Sequence, residues 1–150
     1  KVHSVFGFWS GAEITPWEAD IPHEDVEFDF GKADVRPDQA PRIDKTLELL
    51  ADKIKRYGGL LKLNLYVGGF TDSVGSPGSN VELSQRRARS IGTYFRRKGV
   101  KIPIYFKGYG EAHQAVKTPD ETKEPKNRRA VYILSTSPPR ALSAGGWMRL

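Results

Sequence analysis

The chain has 150 residues, no cysteine, 38% hydrophobic residues and a formal net charge of +6. This composition suits one compact domain with an ordinary core, and the lack of cysteine excludes disulfides, thiol catalysis and thiolate metal sites. No apolar run approaches the roughly 20 residues that span a bilayer, so we expect no transmembrane segment. The positive charge would suit any polyanion. Because no recognition motif or aromatic–basic platform accompanies it, we expect no nucleic-acid partner.

The first 25 residues are irregular and carry four large aromatic side chains: Phe6, Phe8, Trp9 and Trp17. They could form an added strand, a partner-binding arm or the end of a preceding region. The simplest expectation is an arm packed on the surface of the domain. Residues 26–30 then alternate strictly between apolar and acidic side chains, which predicts a first strand.

A first helix and a second strand follow. Apolar residues at helical spacing predict the helix, which ends at the glycine pair of residues 58–59; they are Ile43, Leu47, Leu50, Ala51 and Ile54. Residues 61–67 alternate again and predict the second strand, with another glycine pair at its exit.

A loop over residues 71–79, rich in turn formers, leads to a second helix. We predict this helix over residues 80–98, capped by Ser79 or Asn80 and stopped by Gly99. Two further strands are predicted at 102–107 and 130–134, and residues 136–150 are predicted to be a tail. The order strand, helix, strand, helix, strand, strand predicts an α+β fold, in which a mixed four-stranded sheet carries both helices on one face.

One arginine of the second helix lies among apolar residues on a helical wheel. The apolar arc is roughly 140° wide; its members are Leu83, Ala88, Ile91, Tyr94 and Phe95. Arg87 lies inside this arc, whereas Arg86, Arg89, Arg96 and Arg97 lie outside it, where water hydrates them. A guanidinium among apolar neighbours is costly unless an anion compensates its charge. The nearest candidate is Asp72, which would form a structural salt bridge if paired with Arg87 or a zwitterion receptor if held slightly apart.

Several common chemistries lack their residues. The glycine-rich loop has no Lys-Ser/Thr of a phosphate loop, there is no dinucleotide fingerprint, and the three histidines are too dispersed for a metal site. Ser84 has no evident histidine base. Asp72 and Glu111 could act as a carboxylate pair for glycoside cleavage, but acids in glycine-rich turns commonly cap the backbone instead. We therefore expect no enzymatic activity and no cofactor.

Five short motifs occur in a characteristic order. They are VEFDFGKADVRP at residues 26–37, GFTDSVG at 69–75, Asn80 with LSQRRA at 83–88, GYGE at 108–111 and NRRA at 127–130. Together they resemble the signature of OmpA-like C-terminal domains, which also occur in Pal lipoproteins and the flagellar stator protein MotB. The resemblance covers residues 26–135 and implies the β-α-β-α-β-β fold of that family.

The resemblance also implies a function and a site. OmpA-like domains bind the stem peptide of peptidoglycan, in particular its diaminopimelate, non-covalently and without catalysis. The ligand-holding aspartate of the family falls on Asp72 and its arginine on Arg87. The resemblance implies that further residues belong to the site: Phe30, Gly31, Thr71, Asn80, Leu83 and Arg128. A structural ion pair is an equally good expectation for Arg128, and Gly31 stands where many members carry an acid.

The implied location is the periplasm of a Gram-negative bacterium, in association with the outer membrane or the cell wall. There the domain would tether its parent protein to peptidoglycan. The alternative is a domain with the same fold that serves protein assembly without binding the wall, with envelope proteins as partners through the N-terminal arm.

Overall fold

The computed structural model describes residues 17–21, 26–29, 31–112, 118–119, 124, 128–139 and 145–150. These residues form two helices and five strands. In chain order the elements are β1 (Glu18–Asp20), α1 (Ala40–Tyr57), β2 (Asn64–Gly69), α2 (Pro77–Arg97), β3 (Ile104–Gly108), β4 (Ala130–Ser135) and β5 (Met148–Arg149).

The strands form one mixed sheet in the order β1-β4-β2-β3-β5. β2 and β3 are parallel, and every other neighbouring pair is antiparallel. The parallel pair follows from α2, because a helical crossover returns the chain in the same direction along the sheet. The predicted α+β class and mixed sheet are confirmed, with five strands in place of four.

The predicted first strand at residues 26–30 is wrong. Residues 26–29 lie in no strand, and Phe30 is outside the described residues. Val26 and Phe28 are buried while Glu27 and Asp29 are exposed, so the alternation reflects an extended segment with one face on the core. The described part of the N-terminal arm pairs instead, because β1 runs antiparallel to β4.

The predicted tail over residues 136–150 is wrong for its last residues. β5 pairs with β3, and Trp147 packs edge-on against Tyr66 and Tyr109, at ring-centroid distances of 5.1 and 6.2 Å. β5 has only two residues, both exposed, so no alternation of buried and exposed side chains could indicate it.

The two helices share one hydrophobic core with the sheet. Its fully buried members include Ile43 and Leu50 of α1, Ala88, Ile91 and Phe95 of α2, and Leu65, Val67, Ile104 and Leu134 of the strands. The predicted inward position of Ala51 is wrong, since this residue is exposed. Between the helices, the Tyr94 hydroxyl donates to Asp44 Oδ1 at 2.6 Å. This hydrogen bond, and to a smaller extent desolvation, raise the pKa of Tyr94 to about 12.

Two glycines allow α2 to lie directly on the ends of β2 and β3. A Cβ on Gly69 would lie within 3.0 Å of the carbonyl of Ser84. A Cβ on Gly108 would lie within 3.0 Å of backbone atoms of Val81 and Gln85. Only glycine permits such a close backbone approach. The first turns of α2 are therefore held against the loop that follows β2.

Candidate functional site

A cavity of about 260 Å³ lies where the loop after β2 meets the start of α2. Seven of the eight predicted site residues line it: Gly31, Thr71, Asp72, Asn80, Leu83, Arg87 and Arg128. Phe30, the eighth, lies outside the described residues. A larger cavity of about 610 Å³, between residues 34–40 and the outer side of α2, contains none of the predicted site residues.

The start of α2 is set by its N-terminal turn and lies before the predicted start at residue 80. The helix begins at Pro77, and the Ser76 hydroxyl accepts from the Ser79 N–H at 3.2 Å as the N-cap. Proline suits this first position because its missing N–H would have no helical partner there. The predicted caps Ser79 and Asn80 are wrong, and the Asn80 amide is free to donate to the carbonyl of Asp72 at 3.4 Å.

Arg87 lines the cavity, and only 2% of its surface is exposed. Its Nε donates to the carbonyl of Lys32 at 2.9 Å, and its Nη2 donates to that of Asp29 at 3.2 Å. Its Cζ lies 5.0 Å from the ring centroid of Phe28. The Nη1 atom is buried and has no hydrogen-bond partner among the described residues. The inward position predicted by the helical wheel therefore leaves one donor of a buried cation unused.

Asp72 does not pair with Arg87, so of the two alternatives left open by the sequence the structural salt bridge is not formed. Its Oδ2 lies 3.2 Å from Arg128 Nε, and the two side chains are 6% and 19% exposed. The backbone N–H groups of Val74 and Glu124 donate to the Asp72 carboxylate at 3.4 Å each. Arg87 instead uses backbone carbonyls, which a sequence pattern cannot specify.

Arg87 is a desolvated cation. Its burial, and then the positive charge of Arg128, lower the pKa of Arg87 to about 10, while the charge of Asp72 acts in the opposite direction. The guanidinium is still protonated near neutral pH. An anion that enters the cavity would meet a weakly hydrated donor, which is the setting in which charge-assisted hydrogen bonds are strongest.

Two glycines shape the loops around the cavity. Gly31 has φ = 71° and Gly75 has φ = 88°, a left-handed conformation that glycine adopts without steric cost. Nothing lies within 4 Å of a Cβ built on Gly31, so a side chain would have space there but a strained backbone. This conformation gives a physical reason for glycine at position 31.

The arginines outside the apolar arc differ from one another. Arg89 and Arg97 are exposed, as predicted, but Arg86 also lines the cavity. Arg96 is not simply hydrated, because its Nη1 donates to the carbonyls of Val100 and Ile102 at 2.7 and 3.0 Å. The helical wheel does not indicate Arg86, because the cavity lies beside the helix, at the edge of the apolar arc.

Thr71 and Ser84 tie the cavity to the turn after β3. The Thr71 N–H donates to the Gly110 carbonyl at 2.8 Å, and the Gly110 N–H donates to the Ser84 hydroxyl at 2.9 Å. Ser84 in turn donates to the Val81 carbonyl at 2.8 Å. These bonds give Ser84 a structural role, in agreement with its lack of a histidine base.

The OmpA family model matches residues 27–128 of the chain. The chain belongs to the OmpA family. Outer membrane protein P5 of Haemophilus influenzae is 37% identical over 92 residues, which cover 61% of this chain and 24% of P5. The OmpA-family chain thus spans about a quarter of the length of this curated relative.

Two solved structures resemble the fold of this OmpA-family chain. The peptidoglycan-associated lipoprotein from Burkholderia pseudomallei superposes with a TM-score of 0.59 at 23% identity, covering 73% of this chain and 88% of the other. The periplasmic domain of Helicobacter pylori MotB superposes with a TM-score of 0.56 at 19% identity, covering 85% and 78%.

Proposed function

We propose that this OmpA-family domain binds peptidoglycan non-covalently, through a stem peptide that carries diaminopimelate. This binding would attach the protein that contains the domain to the cell wall. One observation carries the proposal: the buried guanidinium of Arg87, with an unused Nη1 donor, shares a cavity with the carboxylate of Asp72.

The side-chain end of diaminopimelate matches this arrangement. It offers an ammonium beside a carboxylate, so the carboxylate accepts from Arg87 and the ammonium donates to Asp72. Leu83, at the wall of the cavity, provides an apolar surface for the methylene groups between the two ends of diaminopimelate. The cavity volume of about 260 Å³ suits one amino-acid side chain better than a drug-sized ligand.

The names of the relatives support the same function and the same cellular location. The Burkholderia lipoprotein is peptidoglycan-associated by its name, and P5 is an outer membrane protein. We accordingly place the domain in the periplasm of a Gram-negative bacterium, at the outer membrane or the wall, where it acts by binding and not by catalysis. None of the described helices is both long and apolar enough to cross a membrane.

Two measurements test the proposal. The protein should co-sediment with purified peptidoglycan. In calorimetry, a stem tripeptide with diaminopimelate should bind at least about tenfold more tightly than one with lysine, which lacks the carboxylate that Arg87 would hold. Arg87→Lys should weaken this binding, because an ammonium cannot bind a carboxylate through two parallel bonds. Arg89→Gln is the matched control on the exposed side of the same helix. Equal affinity for the two tripeptides, or no co-sedimentation, would refute the proposal.

The alternative role in protein assembly depends on the N-terminal arm. Trp17 of this arm is buried in the domain's own core, so it offers no surface to a partner. The other aromatic residues of the arm lie outside the described part of the chain, and envelope proteins as partners remain a prediction.

A further inference from the structure

The described residues that line the cavity carry more positive than negative charge. Three arginines, Arg86, Arg87 and Arg128, share it with one carboxylate, that of Asp72. The side-chain end of diaminopimelate is zwitterionic and adds no net charge. Such a ligand would leave the excess positive charge of the cavity unbalanced.

The only carboxylate of this lining is already in use. Arg128 Nε lies 3.2 Å from Asp72 Oδ2, so a ligand ammonium competes with Arg128 for this oxygen. The contact can be exchanged, because Arg128 Nε makes no hydrogen bond of acceptable geometry within the described residues. After the exchange, Arg128 would be a largely buried cation without an anion among the described residues that line this cavity, which is strongly unfavourable.

We propose that the cavity selects stem peptides with a second free carboxylate, outside the zwitterionic end of diaminopimelate, and that Arg128 binds this carboxylate when the ammonium displaces it from Asp72. The inference rests on the proposed function and narrows its ligand class. Arg86, exposed at the rim of the same cavity, adds to the attraction for the second carboxylate.

Among the described residues, Glu27 is an anion that could compete for Arg128. It lines a neighbouring cavity of about 140 Å³ together with Arg128 and Arg36. However, Glu27 is exposed and already interacts electrostatically with Arg36, and a hydrated, shared carboxylate stabilises a cation only weakly. If Arg128 moved to Glu27 in spite of this, the second carboxylate of the ligand would be irrelevant to affinity.

Calorimetry with three N-acetylated tripeptides, Ala-γ-Glu-diaminopimelate, tests the inference. One peptide is the free acid, one is amidated on the glutamate carboxylate, and one is amidated on the backbone carboxylate of diaminopimelate. One of the two amidations should weaken binding to the unmodified protein by about tenfold to a hundredfold, the effect of losing a charge-assisted hydrogen bond. In Arg128→Gln the same amidation should cost at most about threefold, whereas Arg89→Gln should behave like the unmodified protein.

Arg128→Gln also leaves Asp72 free for an ammonium. This variant should bind the sensitive amidated peptide more tightly than the unmodified protein does, and the free acid less tightly. A misfolded variant would lose both peptides, so this reversal is specific to the inference. If Arg128→Gln does not fold, Arg128→Lys decides, with an amidation penalty smaller than that of the unmodified protein.

Two results would overturn the inference while the proposed function stands. In one, the free acid binds and neither amidation weakens it. In the other, the penalty is unchanged when Arg128 is replaced. Failure of all three peptides to bind the unmodified protein would instead refute the proposed function itself.

Discussion

Arg87→Ala should abolish wall binding at a modest cost in stability, because Arg87 is not the partner of Asp72. The substitution removes the two hydrogen bonds to the carbonyls of Asp29 and Lys32 and the contact with Phe28. It leaves the ion pair between Asp72 and Arg128 in place. No buried charge is stranded.

The expected loss in the free energy of unfolding follows from these contacts. Each hydrogen bond from the guanidinium contributes about 1.5–3 kcal/mol, but removing a desolvated cation with an unused donor recovers part of that energy. We expect a net loss of about 1–3 kcal/mol in the free energy of unfolding, and a lower Tm by about 2–4 °C for each kcal/mol. Arg128→Ala, in contrast, strands the Asp72 carboxylate, which is 6% exposed, and should cost about 3–5 kcal/mol.

Arg87→Ala should affect binding more strongly than it affects stability. Truncating one partner of a buried, hydrogen-bonded charge pair costs about 2–5 kcal/mol in affinity, so Arg87→Ala should lower affinity for the free-acid tripeptide by about 30-fold or more. Co-sedimentation with peptidoglycan and thermal unfolding measure the two effects on the same preparations. Arg89→Ala, which replaces an exposed arginine on the same helix, should change neither when both are measured near physiological ionic strength.

Either of two results would contradict this role of Arg87. If Arg87→Ala destabilises the domain as much as Arg128→Ala does, Arg87 mainly has a structural role. If wall binding persists in a folded Arg87→Ala variant, the cavity is not the receptor.

Three further predictions concern the fold and the surface charge. Gly108→Ala should destabilise the domain by about 1–3 kcal/mol, because the added Cβ meets backbone atoms of α2. Gly59→Ala, with open space around it, should have almost no effect, and equal Tm values for the two variants would contradict the close packing. Tyr94→Phe should remove the phenol that titrates at about 12. The interaction that raises this pKa stabilises the fold below about pH 10, and its contribution is lost as the pH rises through about 12. In alkaline denaturation, the variant should therefore lose less stability over that interval than the unmodified protein. The double variant Arg89→Gln/Arg97→Gln should weaken wall binding at low salt and change little near physiological ionic strength; a loss that persists at high salt would give these residues a direct role.

Much of the fold could be predicted because helical periodicity is a local property of the chain. The apolar spacing located α1 and α2 to within a few residues, apart from the exposed Ala51 and the early start at Pro77. Alternation at residues 26–30 correctly indicated one buried face but not pairing in a ladder. Burial alone produces the same alternation, and the hydrogen-bond partner must come from elsewhere in the chain.

The candidate site, like the fold, could be predicted only in part from the sequence. The wheel placed Arg87 on the buried side of its helix, and the loop motif placed Asp72 near it, since both signals lie within one stretch of sequence. The burial of Arg87 is confirmed, whereas the role of these residues in binding remains a proposal.

Only the tertiary structure decided which groups compensate the charges. Asp72 meets Arg128 from the segment before β4, and Arg87 meets the carbonyls of Asp29 and Lys32, because the sheet order brings these distant segments beside the start of α2. Likewise, β1 and β5 are too short to show a periodic pattern and exist through pairing with β4 and β3. Periodicity determines which side of an element is buried, but contacts between remote segments depend on how the elements pack, and no local pattern of residues encodes that packing.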